Sequence, residues 1–429
     1  MTTSPLRSLQ AICLLSAMAF AFSSCLKDEC KQFYSYKVFT PVYLSYNDLR
    51  KPITTSTSAT LQDIGKIYYK APFIFVNEVN KGIHVIDNSD PSSPQNVAFI
   101  NIPGNLDIAV KDNILYADSY IDLVAIDISD PLHAQEIWRD QQVFDQRMYQ
   151  GWWSGDATMG VITDWVERDT TVEQDCYNPG IWTMFEGDLA LNFSSSTGGG
   201  GGGTTTMTTP GIGVAGSMAR FGIASDHLYC LNTSTITLFD IANATSPIDQ
   251  GVVTGLWNAE TIFPYGENLF VGTTTGVSIY NNSNPSSPSL LSTVTHVTGC
   301  DPVVAQGEYA YSTIHSGNFC GQSFNELSVI NISKPSSPYI TNTYSLNSPY
   351  GLGIDGSNLF VCDDAHGLKR YDATDPNSLI LKDEISAGTT RDVIATSGWL
   401  LLVSVEGLYQ YNYSADALTQ LSFLPVYRP

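Results

Sequence analysis

The chain has 429 residues, 43% of them hydrophobic and 11% aromatic, which is enough for the core of one large or two ordinary domains and excludes global disorder. Its 42 acidic residues against 20 basic ones give a net charge of -22. A surface of that sign repels phosphate backbones and anionic head groups, so nucleic acid is excluded as an expected partner.

The first residues carry Arg7, an apolar stretch over 12–22, then Ser23, Ser24 and Cys25. The stretch is too short to span a bilayer as a permanent helix and reads as an export signal covering 1–24. A small-residue pair before Cys resembles the lipobox of bacterial lipoproteins, which implies cleavage before Cys25 and lipid attachment to it; an ordinary signal with an incidental cysteine is the other reading. Leu26, Lys27, Asp28 and Glu29 resemble the export signal of Bacteroidota surface lipoproteins. That resemblance implies the outer membrane, held by the lipid anchor alone and facing the cell exterior. Residues 25–62 are expected to form a tether and N-terminal segment.

From residue 63 to the C-terminus a phrase recurs: an apolar run, a small or polar break, a second apolar run and a turn built on Pro. It reads FIFVNEVNKGIHVIDNSDPSSP at 73–94, ILYADSYIDLVAIDISDP at 114–131, HLYCLNTSTITLFDIANATSP at 227–247, NLFVGTTTGVSIYNNSNPSSP at 268–288 and NLFVCDDAHGLKRYDATDP at 358–376. Aligned on the first run, the copies are spaced by about 41, 113, 41, 41, 49 and 42 residues. A fixed period of this kind marks a repeat architecture whose units bury their apolar faces only against one another. Each unit holds four candidate strands, as in LDIAV, ILYAD, LVAID and a weaker outer run near 134–138. Units starting near Ile64, Leu106, Ser217, Asn258, Gly299, Ser348 and Thr389 predict an all-β, seven-bladed β-propeller of four-stranded antiparallel blades, closed into a ring that protects its edges.

The 113-residue gap predicts an insertion over 143–216 between blades 2 and 3. Its first half holds Trp152, Trp153, Trp165 and Trp182, and its second half contains SSSTGGGGGGTTTMTTPG, a flexible linker by composition over 194–209. MGVITDWVERD is expected to extend the outer strand of blade 2 into a ribbon.

The strand phrase HVID at 84–87 and VAID at 124–127, each followed by Asp-Pro as at Asp90 and Pro91 or Asp130 and Pro131, resembles the LVIVD-repeat proteins. The resemblance covers the chain from about residue 64 onward apart from the insertion. It implies a bacterial exported or cell-surface propeller and no established chemistry.

Motifs for catalysis are missing. GIGVAG at 211–216 satisfies the dinucleotide pattern, but a Gly/Thr linker precedes it and a strand follows, so it lacks the strand and helix a phosphate cradle needs. No metal or cofactor is expected, since the six His are scattered singly. Acids stand at the start of several inner strands, Asp107, Glu260, Asp301 and Asp392, with Arg220 in the third unit and Arg391 beside Asp392. Two readings follow: a charged binding mouth at the central channel, or carboxylates that bond neighbouring blade backbones and lock the ring. Trp152 and Trp153 are candidate ligand contacts or parts of a local hydrophobic lid. Cys300 and Cys320 are the leading disulfide pair, Cys30 and Cys176 could pair, and Cys230 and Cys362 are expected as buried thiols.

Together these readings predict a non-catalytic module binding protein or polysaccharide at the cell surface, as a monomer or as a subunit of a membrane complex. The alternatives are a carbohydrate lyase or hydrolase using the acidic mouth, and an accessory subunit of an outer-membrane transport or assembly machine.

Overall fold

The computed structural model describes residues 31–147, 155–175, 214–295, 302–315, 324–415 and 417–428. The chain divides into two compact units, 1–42 with 164–193, and 43–163 with 194–429. In the smaller, the described residues belong to a two-stranded ribbon that pairs Lys31–Leu44 with Val161–Asp175. The larger unit is a seven-bladed propeller of four-stranded antiparallel blades. Their inner strands are Ile64–Lys70, Ile108–Lys111, Phe221–Ala224, Ala259–Tyr265, Val303–Gln306, Leu352–Asp355 and Thr390–Thr396, close to the predicted unit starts.

The phrase acts through three local devices. Its second strand carries one large side chain at the same position in every blade, Phe75, Tyr116, Tyr229, Phe270, Tyr311, Phe360 and Leu401, all buried. Being inside a sheet stacked on two others, each fills the gap to a neighbour: Tyr116 Oη donates to Ala244 O at 2.7 Å and Tyr229 Oη to Asn282 Oδ1 at 2.9 Å, both on the next blade. The Asx residue ending the third strand and the one before Pro then cap successive turns. Asp87 Oδ1 accepts from Ser89 N and Asp90 Oδ1 from Ser92 N, each at 2.9 Å, and the serine hydroxyls beside them hold both carboxyls below their usual range. Finally, the third strand opens on glycine in several blades. At Gly82, φ is +144°, and a Cβ would lie 2.0 Å from Ile100 O on the outer strand.

Blades 7 and 1 close the ring through side chains and termini rather than a shared strand. Ile67, Ile74 and Val76 of blade 1 form one apolar cluster with Ile394, Leu401 and Val403 of blade 7, Gln410 Nε2 donates to Asn88 Oδ1 at 2.7 Å, and Tyr427 N donates to Leu61 O at 2.8 Å. Blade 1 also gains two strands: Thr54–Thr57 on its outer edge and Val214–Ala215 on its inner edge.

One expectation changes. The outer strand of blade 2 is Gln135–Asp140, the weaker run, while VITDWVERD lies in the strand that pairs with Lys31–Leu44. Its alternation marks a strand, but the partner is more than a hundred residues away. The N-terminal segment supplies Lys31–Leu44, the short helix Tyr46–Leu49 and the edge strand of blade 1. Cys25, Trp152, Trp153, Trp182, Asp301, the Cys300 and Cys320 pair, Cys30, Cys176 and the linker 194–209 lie outside the described residues.

Candidate functional site

The inner strands of a propeller line its central channel, and here the insertion returns into it. Val214 and Ala215 pair antiparallel with Tyr69 and Tyr68, which places them on the channel side of the blade 1 inner strand. Residues 216–219 follow and are buried.

These few residues bond to six blades. Gly216 N donates to Ile67 O at 3.3 Å, and Met218 O accepts from Lys66 Nζ at 3.2 Å, both on blade 1. Ser217 N and Oγ reach Asp392 Oδ1 of blade 7 at 3.2 and 3.3 Å, while Ser217 Oγ accepts from Leu352 N of blade 6 at 2.7 Å. Ala219 O accepts from Ile262 N of blade 4 at 2.8 Å. Arg220 N donates to Asp107 Oδ2 of blade 2 at 2.6 Å, and Arg220 O accepts from Leu231 N of blade 3 at 2.7 Å. Small side chains permit this approach. A Cβ on Gly216 would sit 2.2 Å from Asp392 Oδ2, and one on Gly351 would sit 2.3 Å from Asp392 Oδ1.

Asp107 is the charged centre of the arrangement. Besides Arg220 N it accepts from Lys66 Nζ at 2.5 Å and from Ile108 N at 2.8 Å, with both side chains of the ion pair about one-twentieth exposed, 6% for Lys66 and 4% for Asp107. Asp392 stands close to the same pair but is held differently. Burial, reinforced by the Asp107 charge, pushes its carboxyl well above the usual range, even though Val393 N, Lys66 and Ser217 pull the other way. The two acids thus differ in their partners: Asp392 is bonded to the amides of Ser217 and Val393 and to the Ser217 hydroxyl, and Asp107 to an ammonium and two amides.

The predicted residues thus separate. Asp107, Arg220 and Asp392 come together around residues 216–220, bonding neighbouring blades as the locking reading describes. Glu260 stands half-buried in the blade 4 inner strand. Sequence reasoning missed Lys66 and Ser217, whose signal was the run of small residues GVAGSMA, the composition needed where backbones meet closely. It also missed Trp257, 72% exposed in the connection entering blade 4. Cys230 and Cys362 are the buried free thiols expected, with burial pushing both well above the ordinary thiol range.

Elsewhere, a cavity of about 200 Å³ lies beside blade 1, lined by Thr60, Gln62, Glu78, Lys81 and Phe99. Its carboxylate is already engaged: Glu78 accepts from His84 Nε2 at 3.0 Å, Gln62 N at 3.0 Å, Asp63 N at 2.9 Å and Lys81 Nζ at 3.2 Å. His84 is fully buried there, as its repeat position suggested.

Fold and repeats together define a seven-bladed β-propeller, and LVIVD repeats are found in three of its blades. The family model described as LVIVD repeat matches residues 70–100, 105–139 and 301–345, within blades 1, 2 and 5. Comparison with curated proteins gave no match. Among solved structures, the chain is similar to the computationally designed protein Ika8 (9% identity, 84% of this chain and 87% of that one, TM-score 0.47). It is also similar to PorZ, a surface component of the type-IX secretion system of Porphyromonas gingivalis (11% identity, 85% of this chain and 39% of that one, TM-score 0.46). A third is BamB from Moraxella catarrhalis (9% identity, 87% of this chain and 97% of that one, TM-score 0.45).

Proposed function

We propose that this propeller is a non-catalytic binding or scaffold module, exported, lipid-anchored through Cys25 in the outer membrane and facing the cell exterior, with a protein or polysaccharide as its partner. The observation that carries this reading is the state of the channel. Asp107 and Asp392, the acids best placed to act as a pair, are bonded to Lys66, to backbone amides and to Ser217, beneath a segment that crosses from blade 1 to blade 3. A general acid or base has to reach a substrate proton directly or through one water. Carboxylates spent on the ring's own amides serve its assembly instead.

The partner surface then belongs to the exposed loops, where the phrase is interrupted. Trp257 supports this, because an exposed indole offers a broad apolar face to a sugar ring or a protein side chain. The experiment is affinity capture from solubilised outer membranes with the mature chain, alongside a glycan array. A stoichiometric partner or a defined glycan set is expected. Recovery of neither, together with turnover of any polysaccharide in an activity screen, would sink the proposal.

A further inference from the structure

Blades 5, 6 and 7 bring His315, Tyr350, Arg391 and Asp364 together beside the channel hub, one residue from Asp392 and Gly351. His315 follows the second strand of blade 5, Tyr350 precedes the inner strand of blade 6, Asp364 follows that blade's second strand, and Arg391 is the second residue of the blade 7 inner strand. The Arg391 guanidinium lies over the Tyr350 ring with Cζ 4.3 Å from its centroid, and the His315 imidazole lies 4.5 Å from the same ring at 31°. Arg391 Nη1 is 3.1 Å from Asp364 Oδ1, outside hydrogen-bond geometry, with the two side chains 36% and 28% exposed.

The frame beneath is fixed. Gly351 N donates to Arg391 O at 2.9 Å, Tyr350 N to Cys362 O at 2.7 Å and Thr390 N to Asp364 O at 2.9 Å. Asp364 itself has φ of +50°, a left-handed conformation that costs a non-glycine residue energy and that the surrounding bonds must maintain. A guanidinium held over a ring loses little freedom when it binds, and its planar fork matches a carboxylate. Among the described residues no hydrogen bond engages that fork, the ion pair with Asp364 apart.

We propose that Arg391, backed by Tyr350 and flanked by His315, forms a subsite for a single carboxylate on the partner or ligand, either a peptide C-terminus or one uronic acid. This rests on the binding-module reading and names the chemistry of one of its contacts. A net charge of -22 repels long polyanions over the surface, so one carboxylate on an otherwise uncharged body fits better than a dense run of them. Asp364 contributes selectivity by the same sign, holding one side of the fork and leaving the rest for a single group.

The test is titration of the mature chain, labelled at its histidines, followed through the His315 ring resonances. N-acetylglycinate stands for a peptide terminus, D-glucuronate for a uronic acid, and N-acetylglycinamide for the same body without charge. A saturable shift with either carboxylate and none with the amide is expected. The glycinate alone assigns a peptide terminus, glucuronate alone a uronic acid, and both the carboxylate by itself. Arg391→Lys should weaken binding about tenfold and Arg391→Gln abolish it, the cost of losing a charge-assisted fork. No saturable shift, an equal shift with the amide, a preference for inorganic phosphate, or full binding by Arg391→Gln would overturn the subsite. Capture of the same partner by wild type and Arg391→Gln would overturn it too, while leaving the scaffold reading intact.

Discussion

Replacing Asp107 with Ala should unlock the centre of the ring. The change strands the Lys66 ammonium, whose side chain is 6% exposed, and removes the acceptor of Arg220 N and Ile108 N. Breaking a buried pair by deleting one partner costs about 3–5 kcal/mol. An unpaired buried amide costs about 1–3 kcal/mol more, although these losses overlap because water can enter the space left by the carboxylate. We expect a loss of about 4 kcal/mol, a large share of the roughly 5–15 kcal/mol that holds a domain folded. Asp107→Asn keeps an acceptor and should lose about half as much, since the amides stay bonded while the charge pairing goes. Lys66→Met combined with Asp107→Leu removes both charges and should be less damaging than Asp107→Ala alone. The assay is equilibrium urea unfolding, with tryptophan fluorescence and circular dichroism required to coincide so that one transition is being read. An Asp107→Ala protein within about 1 kcal/mol of wild type would refute the locking role, because no relaxed buried ammonium is that cheap.

The neighbouring acid should behave in the opposite way. Asp392 has a folded-state carboxyl well above its usual range, so wild type loses stability as pH rises from about 4 toward that value, and Asp392→Asn should flatten this slope while retaining the Ser217 and Val393 contacts. A steeper loss in the variant would contradict it. Glu78 provides the acid limb: burial alone would raise its carboxyl, but bonds from His84, Gln62, Asp63 and Lys81 bring it down to about 2. Its stabilisation is complete above about pH 4.5 and lost as pH falls toward 2, so Glu78→Gln should show a lower urea midpoint at pH 7 and a smaller further drop at pH 3; identical profiles would count against it. Gly82→Ala forces a Cβ to within 2.0 Å of Ile100 O at φ +144° and should cost about 3 kcal/mol or prevent folding, whereas a midpoint unchanged from wild type would show that blade 1 yields there.

What could be read from sequence followed the range of the interactions. The blades were legible because each is a local meander whose strand alternation, turn Asx residues and Pro recur at a fixed period. The second-strand aromatic was in plain view as FIF, LYC or LFV. Pairings made by distant segments were not. Val214 and Ala215 join Tyr69 and Tyr68 across about 145 residues through a strand two residues long, too short to have a period. The same holds for Thr54–Thr57 on blade 1 and for Lys31–Leu44 against Val161–Asp175. At the channel, residue type announced charge near the inner strands, but whether a carboxylate faces solvent or a crossing segment depends on that distant return. Asp107 and Asp392 look alike in sequence. One meets an ammonium and the other a serine and its amide.

The closed channel is tested most directly by amide hydrogen exchange at Ser217, Arg220, Leu352 and Ile262, the amides that tie residues 216–220 to four different blades or are held by them. The structure predicts protection equal to that of the blade cores, with exchange only through global unfolding. Exchange of Ser217 and Arg220 in seconds, while the inner strands stay protected, would mean that the segment lifts from the channel and that its acids are free to meet a ligand.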